Sequence, residues 1–469
     1  TVSATISKAY ADLRCRVTDA NQSPSVVACS SDDFAVRPSN FTVTSTSSAD
    51  ADSTGASAAA IPKIKTGSNF TLTATADATG YNGTPTIDTS KLTAHSGATQ
   101  TGTLAGSFSA ASSTTGAATG AGFTYNEVGY FRLAANGVYD STFTVVDSDN
   151  GDCTTGFTAS GGINACSFGN TSATNYFGRF YPDHFAISSI SSTPACGAFN
   201  YYGQDGLTTI FTLTAQNSSN ATTQNYTGTF ASNKFDLNTW ASASGYNFLA
   251  SGLTSGSLSA SATAPTGSWV NGVATNISAK HKIDRLTLAM PPASVTITTK
   301  PTDSDGVTMA TTTLASSIPF RYGKLSIPNA YGSELLPLSM PIEAQYWNGS
   351  AYQRNQLDSC TTINPINVSM GNYKNNLATC ETQLSVASTA NTTTMVNGKI
   401  TAKLTKPGNG NNGSVDLFVN LNAASDFTCI PTSTSATSAN LPWFGSTNPA
   451  ARATFGLHKS PVIYMRESY

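Results

Sequence analysis

Phe70-Thr71-Leu72-Thr73-Ala74 recurs as Phe211-Thr212-Leu213-Thr214-Ala215, and this pair of stretches decides how the chain is read. Apolar and small polar residues alternate at period two, which puts one set of side chains on each face of a pleated strand. Thr is stiff at χ1 and suits that geometry. Ser141 to Val146, Val295 to Thr299 and Val415 to Val419 alternate in the same way. Clusters of Gly, Asn, Ser and Pro punctuate the chain about every ten residues, the spacing of turns between short strands. No segment has a convincing amphipathic helical period; Ser3 to Arg16 comes nearest, and its β-branched start favours a strand.

Working outward, other short stretches recur as well. Asp33-Phe34-Ala35-Val36 returns as His184-Phe185-Ala186-Ile187, Tyr81-Asn82-Gly83-Thr84 as Tyr226-Thr227-Gly228-Thr229, and Asp147-Ser148-Asp149 as Asp303-Ser304-Asp305. Every offset lies within about ten residues of 150, as duplicated domains require. A third copy is expected from Lys324-Leu325-Ser326-Ile327, with Glu343 to Gly349 standing where the earlier copies have their apolar strand and turn. The 469 residues fit three such units. The expected architecture is all-β: three tandem immunoglobulin-like β-sandwich domains, with a single large solenoid as the alternative. The expected boundaries are an N-terminal strand segment at 1–30, a donor strand or the remnant of a preceding domain, then sandwiches at 31–182, 183–322 and 323–469. Ser45 to Ala60 and Ser109 to Gly122, made largely of small residues, are expected as long loops or weakly packed edge strands inside the first unit.

Charged residues are only 11% of the chain, and 24 Lys and Arg nearly cancel 26 Asp and Glu. Such a surface offers no basic field to nucleic acid or anionic lipid. The 22 Phe, 18 Tyr and 4 Trp give the chain large apolar groups to bury, so it is expected to fold. No run of about 18 apolar residues occurs, so no membrane-spanning helix is expected. The start at Thr1, with no charged-then-apolar leader, is expected to be a processed end. The sequons at Asn40, Asn82, Asn225 and Asn391 are expected by chance in a chain so rich in Asn and Thr.

The eight cysteines form no C-x-x-C or Cys/His cluster, which argues against zinc. Proximity suggests Cys15 with Cys29, Cys153 with Cys166 and Cys360 with Cys380, leaving Cys196 for Cys429; disulfides imply an oxidising compartment. Asp147, Asp149 and Asp152 alternate with Ser and Asn beside Gly151 and form a weak calcium candidate. The bidentate Glu of a calcium loop is missing, and a plain turn is the preferred reading. No other cofactor is expected. His95, His184, His281 and His458 are scattered, and no hydrolase, metalloprotease or phosphate-loop motif is present. Enzymatic activity is therefore not expected. Trp240, Trp269, Trp347 and Trp443, with Tyr201 and Tyr202, could line a sugar-stacking platform, although core packing is the preferred role.

Several stretches are more specific than any of these. Phe177-Gly178-Arg179-Phe180-Tyr181-Pro182-Asp183-His184-Phe185, Arg321-Tyr322-Gly323-Lys324-Leu325, Asn329 to Leu338, Glu343 to Gly349, Leu357-Asp358-Ser359-Cys360-Thr361, and the ending Ala451 to Gly456 through Ile463 to Glu467 resemble the C-terminal region of the MSHA pilus biogenesis (MshQ) family. The resemblance runs from about Cys29 onward and is strongest from Phe177 to the end. It implies a Gram-negative cell-surface protein linked to a type IV pilus system, structural or adhesive, with no catalytic residues to carry over. Such proteins often bear an N-terminal lectin-like or long preceding region, which is not expected within these 469 residues.

The functional expectation is an extracellular structural subunit of a bacterial surface appendage, partnered by itself or by other pilus components; the alternative is a surface adhesin for glycan or another cell-surface ligand. The segment Thr1, Val2, Ser3, Ala4, Thr5 and Ile6 alternates like a strand ahead of the first repeat. It is read either as a donor strand for a neighbouring subunit or as a strand of its own domain. The composition of Asn329 to Leu338, apolar with Pro, is that of a packed joint between domains.

Overall fold

The computed structural model describes residues 4–45, 57–59, 64–240, 244–424 and 427–456. Its strands assemble into three sandwiches in tandem. In the first, Leu104–Ala105, Ala117–Tyr125, Phe70–Ala76 and Phe41–Thr44 form one sheet. Ile64–Lys65, Phe177–Tyr181, Gly129–Leu133 and Leu92–Ala94 form the other, with a small third sheet of Phe168–Gly169, Val138–Asp140 and Thr86–Ile87. In the second, His184–Thr193, Leu207–Gln216, Val273–Ile283 and Leu258–Ala260 face Asn200–Tyr201, Thr312–Arg321, Ala293–Thr299 and Leu249–Ser251. In the third, Gly323–Ser326, Leu338–Trp347, Lys399–Leu404 and Leu384–Ala387, with Tyr352–Arg354 beside Leu338–Trp347, face Ala330–Gly332, Ala450–Phe455, Gly413–Val419 and Val368–Asn375.

The period-two alternation explains the layers. Along Phe70–Ala76 every second residue is buried and the threonines between them are half-buried. Leu207–Gln216 repeats the pattern. Among the described strands pairing is antiparallel except once per sandwich, where a short early strand runs parallel to the last strand: Ile64 beside Phe180, Asn200 beside Phe320, and Ala330 beside Ala453; an isolated bridge, Thr154 with Ala165, is also parallel. That closing pair ties the entry of each unit to its exit, and the two-sheet arrangement is immunoglobulin-like.

A shared backbone frame marks the units as copies. The amide of Ala76 donates to the carbonyl of Gly116, Ala215 to Gly272, and Ala344 to Gly398, each at 2.9 Å. All three glycines have positive φ (68°, 78° and 71°), and a Cβ on each would sit 2.8, 2.2 and 2.2 Å from a backbone oxygen. Only glycine satisfies both conditions at this bend. The frame fixes the third copy, which sequence similarity left faint.

Three expectations are revised: Ser141 to Val146 is not a strand but a turn that leads into the short helix Val145–Asn150. Ser109 to Gly122 is not a peripheral loop throughout: Ala117–Tyr125 lies between two neighbours in its sheet, because Ala118, Phe123 and Tyr125 are fully buried. Asn329 to Leu338 is not a packed joint: Tyr331, Leu335 and Leu336 are 65%, 53% and 64% exposed. Much of Ser45 to Ala60 lies outside the described residues.

Candidate functional site: the two joints and their cleft

Each joint is built from buried groups contributed by both neighbours. At the first, the Arg179 guanidinium donates to both carboxylate oxygens of Asp305 (2.7 and 2.6 Å), and Lys234 Nζ lies 3.1 Å from the same carboxylate. Arg179 comes from the last strand of the first sandwich, while Asp305 and Lys234 belong to the second. The Arg179 and Asp305 side chains are 1% and 4% exposed. Glu127, also buried, accepts across the joint from the amides of Gln224 and Asn225, and within its own sandwich from the Gln100 side chain. Burial pushes its carboxyl above the usual range, and the amide donors partly offset this. Val128, Tyr130 and Tyr176 of the first sandwich pack into the core of the second, and the His95 ring lies 4.6 Å from that of Phe230.

The second joint is polar, aromatic and covalent. Tyr201 and Phe199 enter the core of the third sandwich. The Tyr201 hydroxyl donates to Asp358 and accepts from Asn355 Nδ2, both at 2.7 Å, with all three residues fully buried. Asp358 also accepts from the amides of Cys360 and Thr361 and from the Thr361 hydroxyl. Arg321 donates to Asn355 and lies over the rings of Phe199 and Tyr346. A disulfide between Cys196 and Cys360 staples the same place. Burial raises the Tyr201 hydroxyl well above its ordinary value, and the adjacent Asp358 adds to the rise, so the phenol stays protonated as a donor.

The Tyr–Asp device also occurs inside the first two units. Tyr81 donates to Asp140 at 2.6 Å and Tyr226 to Asp303 at 2.9 Å, and both carboxylates then cap the turn that follows. The counterpart of Asp303 is thus Asp140, and the resemblance of Asp147-Ser148-Asp149 to Asp303-Ser304-Asp305 is coincidental. Gly398 receives its closing contact from Asp358 where Gly272 receives it from Tyr226. Asp358 therefore takes the tyrosine's place in the third unit and recruits its phenol from the preceding one.

A cleft of about 880 Å³ opens beside the second joint, and Lys282, Asp284, Arg285, Lys324, Tyr352 and Asn422 are among its lining residues. The Arg285 guanidinium stacks 3.7 Å over the Tyr322 ring.

The cysteines depart from proximity pairing. Cys153–Cys166 forms as expected, but Cys360 joins Cys196 and Cys380 joins Cys429, while Cys15 and Cys29 are free and exposed. The fold decides the partners: Cys360 follows Asp358 into the joint where Cys196 is already buried, whereas Cys15 and Cys29 flank a wholly exposed hairpin of Arg16–Asp19 and Val26–Cys29. Asp147 and Asp149 lie on the short helix Val145–Asn150, Asp152 follows it, and Asp147 is occupied by the Ala35 amide. Among the described residues the three aspartates do not converge as metal ligands. The one convergent group, Cys196, Asp358 and Cys360, has its sulfurs in the disulfide. Thr1, Val2 and Ser3 lie outside the described residues; Ala4, Thr5 and Ile6 are exposed and outside any strand, because the first strand is Tyr10–Leu13, paired with Phe34–Val36. Trp269, Trp347 and Trp443 pack against cores, Trp240 against Phe248, and Tyr201 and Tyr202 are fully buried, so these six form no exposed platform. His458 lies outside the described residues.

Sequence reasoning passed over Arg179, Lys234, Asp305 and Arg285. A signal existed for the first: an arginine set inside Phe177-Gly178-Arg179-Phe180 is a charge where a core strand has no use for one unless it is paired.

The fold and the joints define a tandem immunoglobulin-like β-sandwich protein. Within that class the chain carries two consecutive domains of the DUF6701 family: residues 127–324 match the family's third domain and residues 321–468 its fourth. The first of these begins at Glu127, in the first joint, and the two meet at Arg321 to Lys324, in the second. No curated protein matches the chain. Among solved structures, the I9–I11 tandem of titin is 6% identical, with 84% of this chain and 94% of that chain covered and a TM-score of 0.25. A marsupial T cell receptor is 8% identical, with coverages of 81% and 95% and a TM-score of 0.19. The fold assignment rests on the sheets themselves. No helix among the described residues is long and apolar enough to cross a membrane.

Proposed function

We propose that the chain is a stiff structural segment of an extracellular bacterial surface appendage, a stalk whose joints are locked. The observation that carries this reading is that each core borrows side chains from its neighbour: Tyr130 and Tyr176 enter the second core, Phe199 and Tyr201 the third, and Trp347 and Tyr352 pack back against the second. Bending either joint exposes buried aromatics and separates buried polar partners, which resists flexure. The three disulfides support an oxidising, extracellular setting. The resemblance to the MSHA pilus biogenesis family supplies the link to a pilus. Ala4 to Ile6, exposed and unpaired, is available to add to a neighbouring subunit's edge.

Immunogold electron microscopy on intact cells and on thin sections of the source organism tests the proposal. Label on or at the base of surface appendages is expected. Label confined to the cytoplasm overturns the extracellular reading, and surface label away from any appendage removes the pilus link.

A further inference from the structure

The cleft beside the second joint contains a cation without a counter-ion. Arg14 pairs with Asp33, Arg179 with Asp305 and Arg452 with Asp416. Among the described residues Arg285 has no carboxylate partner, and its Nη1 is buried without a hydrogen bond. Its remaining polar contact is a long one, Nη2 to the carbonyl of Phe444 at 3.5 Å. Burying part of a guanidinium without a partner is costly, and the surroundings hold it there by shape. The Tyr322 ring lies under it at 3.7 Å, and Tyr322 is itself fixed by donating to the carbonyls of Leu286 and Thr287. A Cβ on Gly203, which has φ +83°, would come within 2.9 Å of the arginine stem, and Gly445, at φ +133°, brings bare backbone to its tip.

The rest of the lining has a consistent chemistry. Lys282 and Lys324 add two further cations, and Lys324 lies 5.1 Å from the ring centre of Tyr352. The opposing charge, Asp284, is engaged by the Ser257 hydroxyl at 2.8 Å. Three cations against one carboxylate is a concentration of charge in a chain with 11% charged residues. Ser446, Thr447 and Asn422 add neutral hydroxyl and amide groups to the lining. A planar guanidinium held on a tyrosine keeps a fixed direction for its remaining N–H groups, which suits charge-assisted recognition of a carboxylate. The half-buried Tyr352 ring offers an apolar surface to the C–H face of a sugar ring, and small polar side chains suit its hydroxyls. At about 880 Å³ the cleft has room for more than one ring.

We propose that this cleft binds an acidic oligosaccharide, with Arg285 receiving a sugar carboxylate and Lys282 and Lys324 steering it. The site gives a stalk a point of attachment to an acidic polysaccharide and is independent of how stiff the joints are.

Isothermal titration calorimetry with an oligogalacturonate and a neutral malto-oligosaccharide of equal length tests the inference on the full oxidised chain. Binding of the acidic oligomer is expected, with the neutral one at least ten-fold weaker. Arg285→Gln is expected to abolish binding. Lys282→Glu with Lys324→Glu, in positions that leave the cores untouched, is expected to weaken binding at least ten-fold while circular dichroism stays unchanged. Absence of binding to the acidic oligomer, equal affinity for both, or affinity unchanged in the lysine double variant overturns it.

Discussion

Replacing Asp305 by Asn removes the one carboxylate that two buried cations share at the first joint. Arg179 donates to both of its oxygens and Lys234 lies 3.1 Å away. Desolvating the pair on folding costs several kcal/mol, and mutual attraction returns much of that. Asn keeps the volume and one acceptor but loses the charge. Arg179, at 1% exposure, cannot reach water without opening the joint, whereas Lys234, at 10%, has a flexible stem that lets its ammonium swing outward. The expected loss is that of breaking a buried pair by removing one partner, about 3–5 kcal/mol. Replacing both partners, Arg179→Met with Asp305→Leu, is expected to recover most of it, since an apolar pair of similar volume no longer strands a charge. Urea denaturation at pH 7, followed by tryptophan fluorescence and far-ultraviolet circular dichroism, measures each variant; Trp269 reports on the second core. A loss below about 1 kcal/mol for Asp305→Asn, the range of a surface pair, refutes the reasoning.

Other consequences are equally specific. Cys196 and Cys360 close a loop with a sequence separation of 164, which on chain entropy stabilises by about 5 kcal/mol, so Cys196→Ser with Cys360→Ser should lower the denaturation midpoint of the second and third units while sparing the first. Burial pushes the Asp303 carboxyl from 3.8 to about 6. The folded state therefore holds this proton more tightly than the unfolded chain, and the group's contribution is complete below about pH 4 and lost as pH rises through 6. Asp303→Asn, measured by urea denaturation across that window, should gain stability on wild type by up to about 3 kcal/mol between pH 4 and pH 7.5; a constant difference would contradict the assignment. Gly129→Ala should destabilise by more than 2 kcal/mol, roughly the cost of overpacking plus strain, because its Cβ would lie 2.2 Å from the His95 ring at a φ of +97°. Under native conditions a maleimide should label Cys15 and Cys29 and no other cysteine, as read by peptide mass spectrometry.

The layers were legible because strand alternation is local: Phe70, Leu72 and Ala74 announce a buried face without reference to anything distant. The third unit was fainter, since its kinship lies in a backbone bend at Gly398 and not in shared side chains. The joints were hidden for a different reason. Arg179 meets Asp305 across 126 residues and Tyr201 meets Asp358 across 157, separations at which no spacing rule operates. Proximity pairing of cysteines failed on the same ground. Cys153 and Cys166 lie within one excursion of the chain, but Cys196 and Cys360 are brought together only when two sandwiches dock. Aspartates strung along one segment, as at Asp147 and Asp149, looked like a site because they were adjacent in sequence, yet a helical turn aims them apart. The family-like stretches that mattered, around Arg179, Arg321 and Asp358, turned out to be joint residues, while Asn329 to Leu338 lies largely on the surface.

Stiffness at the joints is what a stalk demands, and pulsed dipolar spectroscopy between spin labels at Thr114 in the first sandwich and Lys374 in the third, in a Cys15→Ser, Cys29→Ser background, reads it out. A single narrow distance distribution is expected, broadening when Asp305→Asn and Cys196→Ser with Cys360→Ser are introduced. A broad distribution in the otherwise intact chain would mean that the sandwiches swing freely and that the buried contacts at the joints do not hold them.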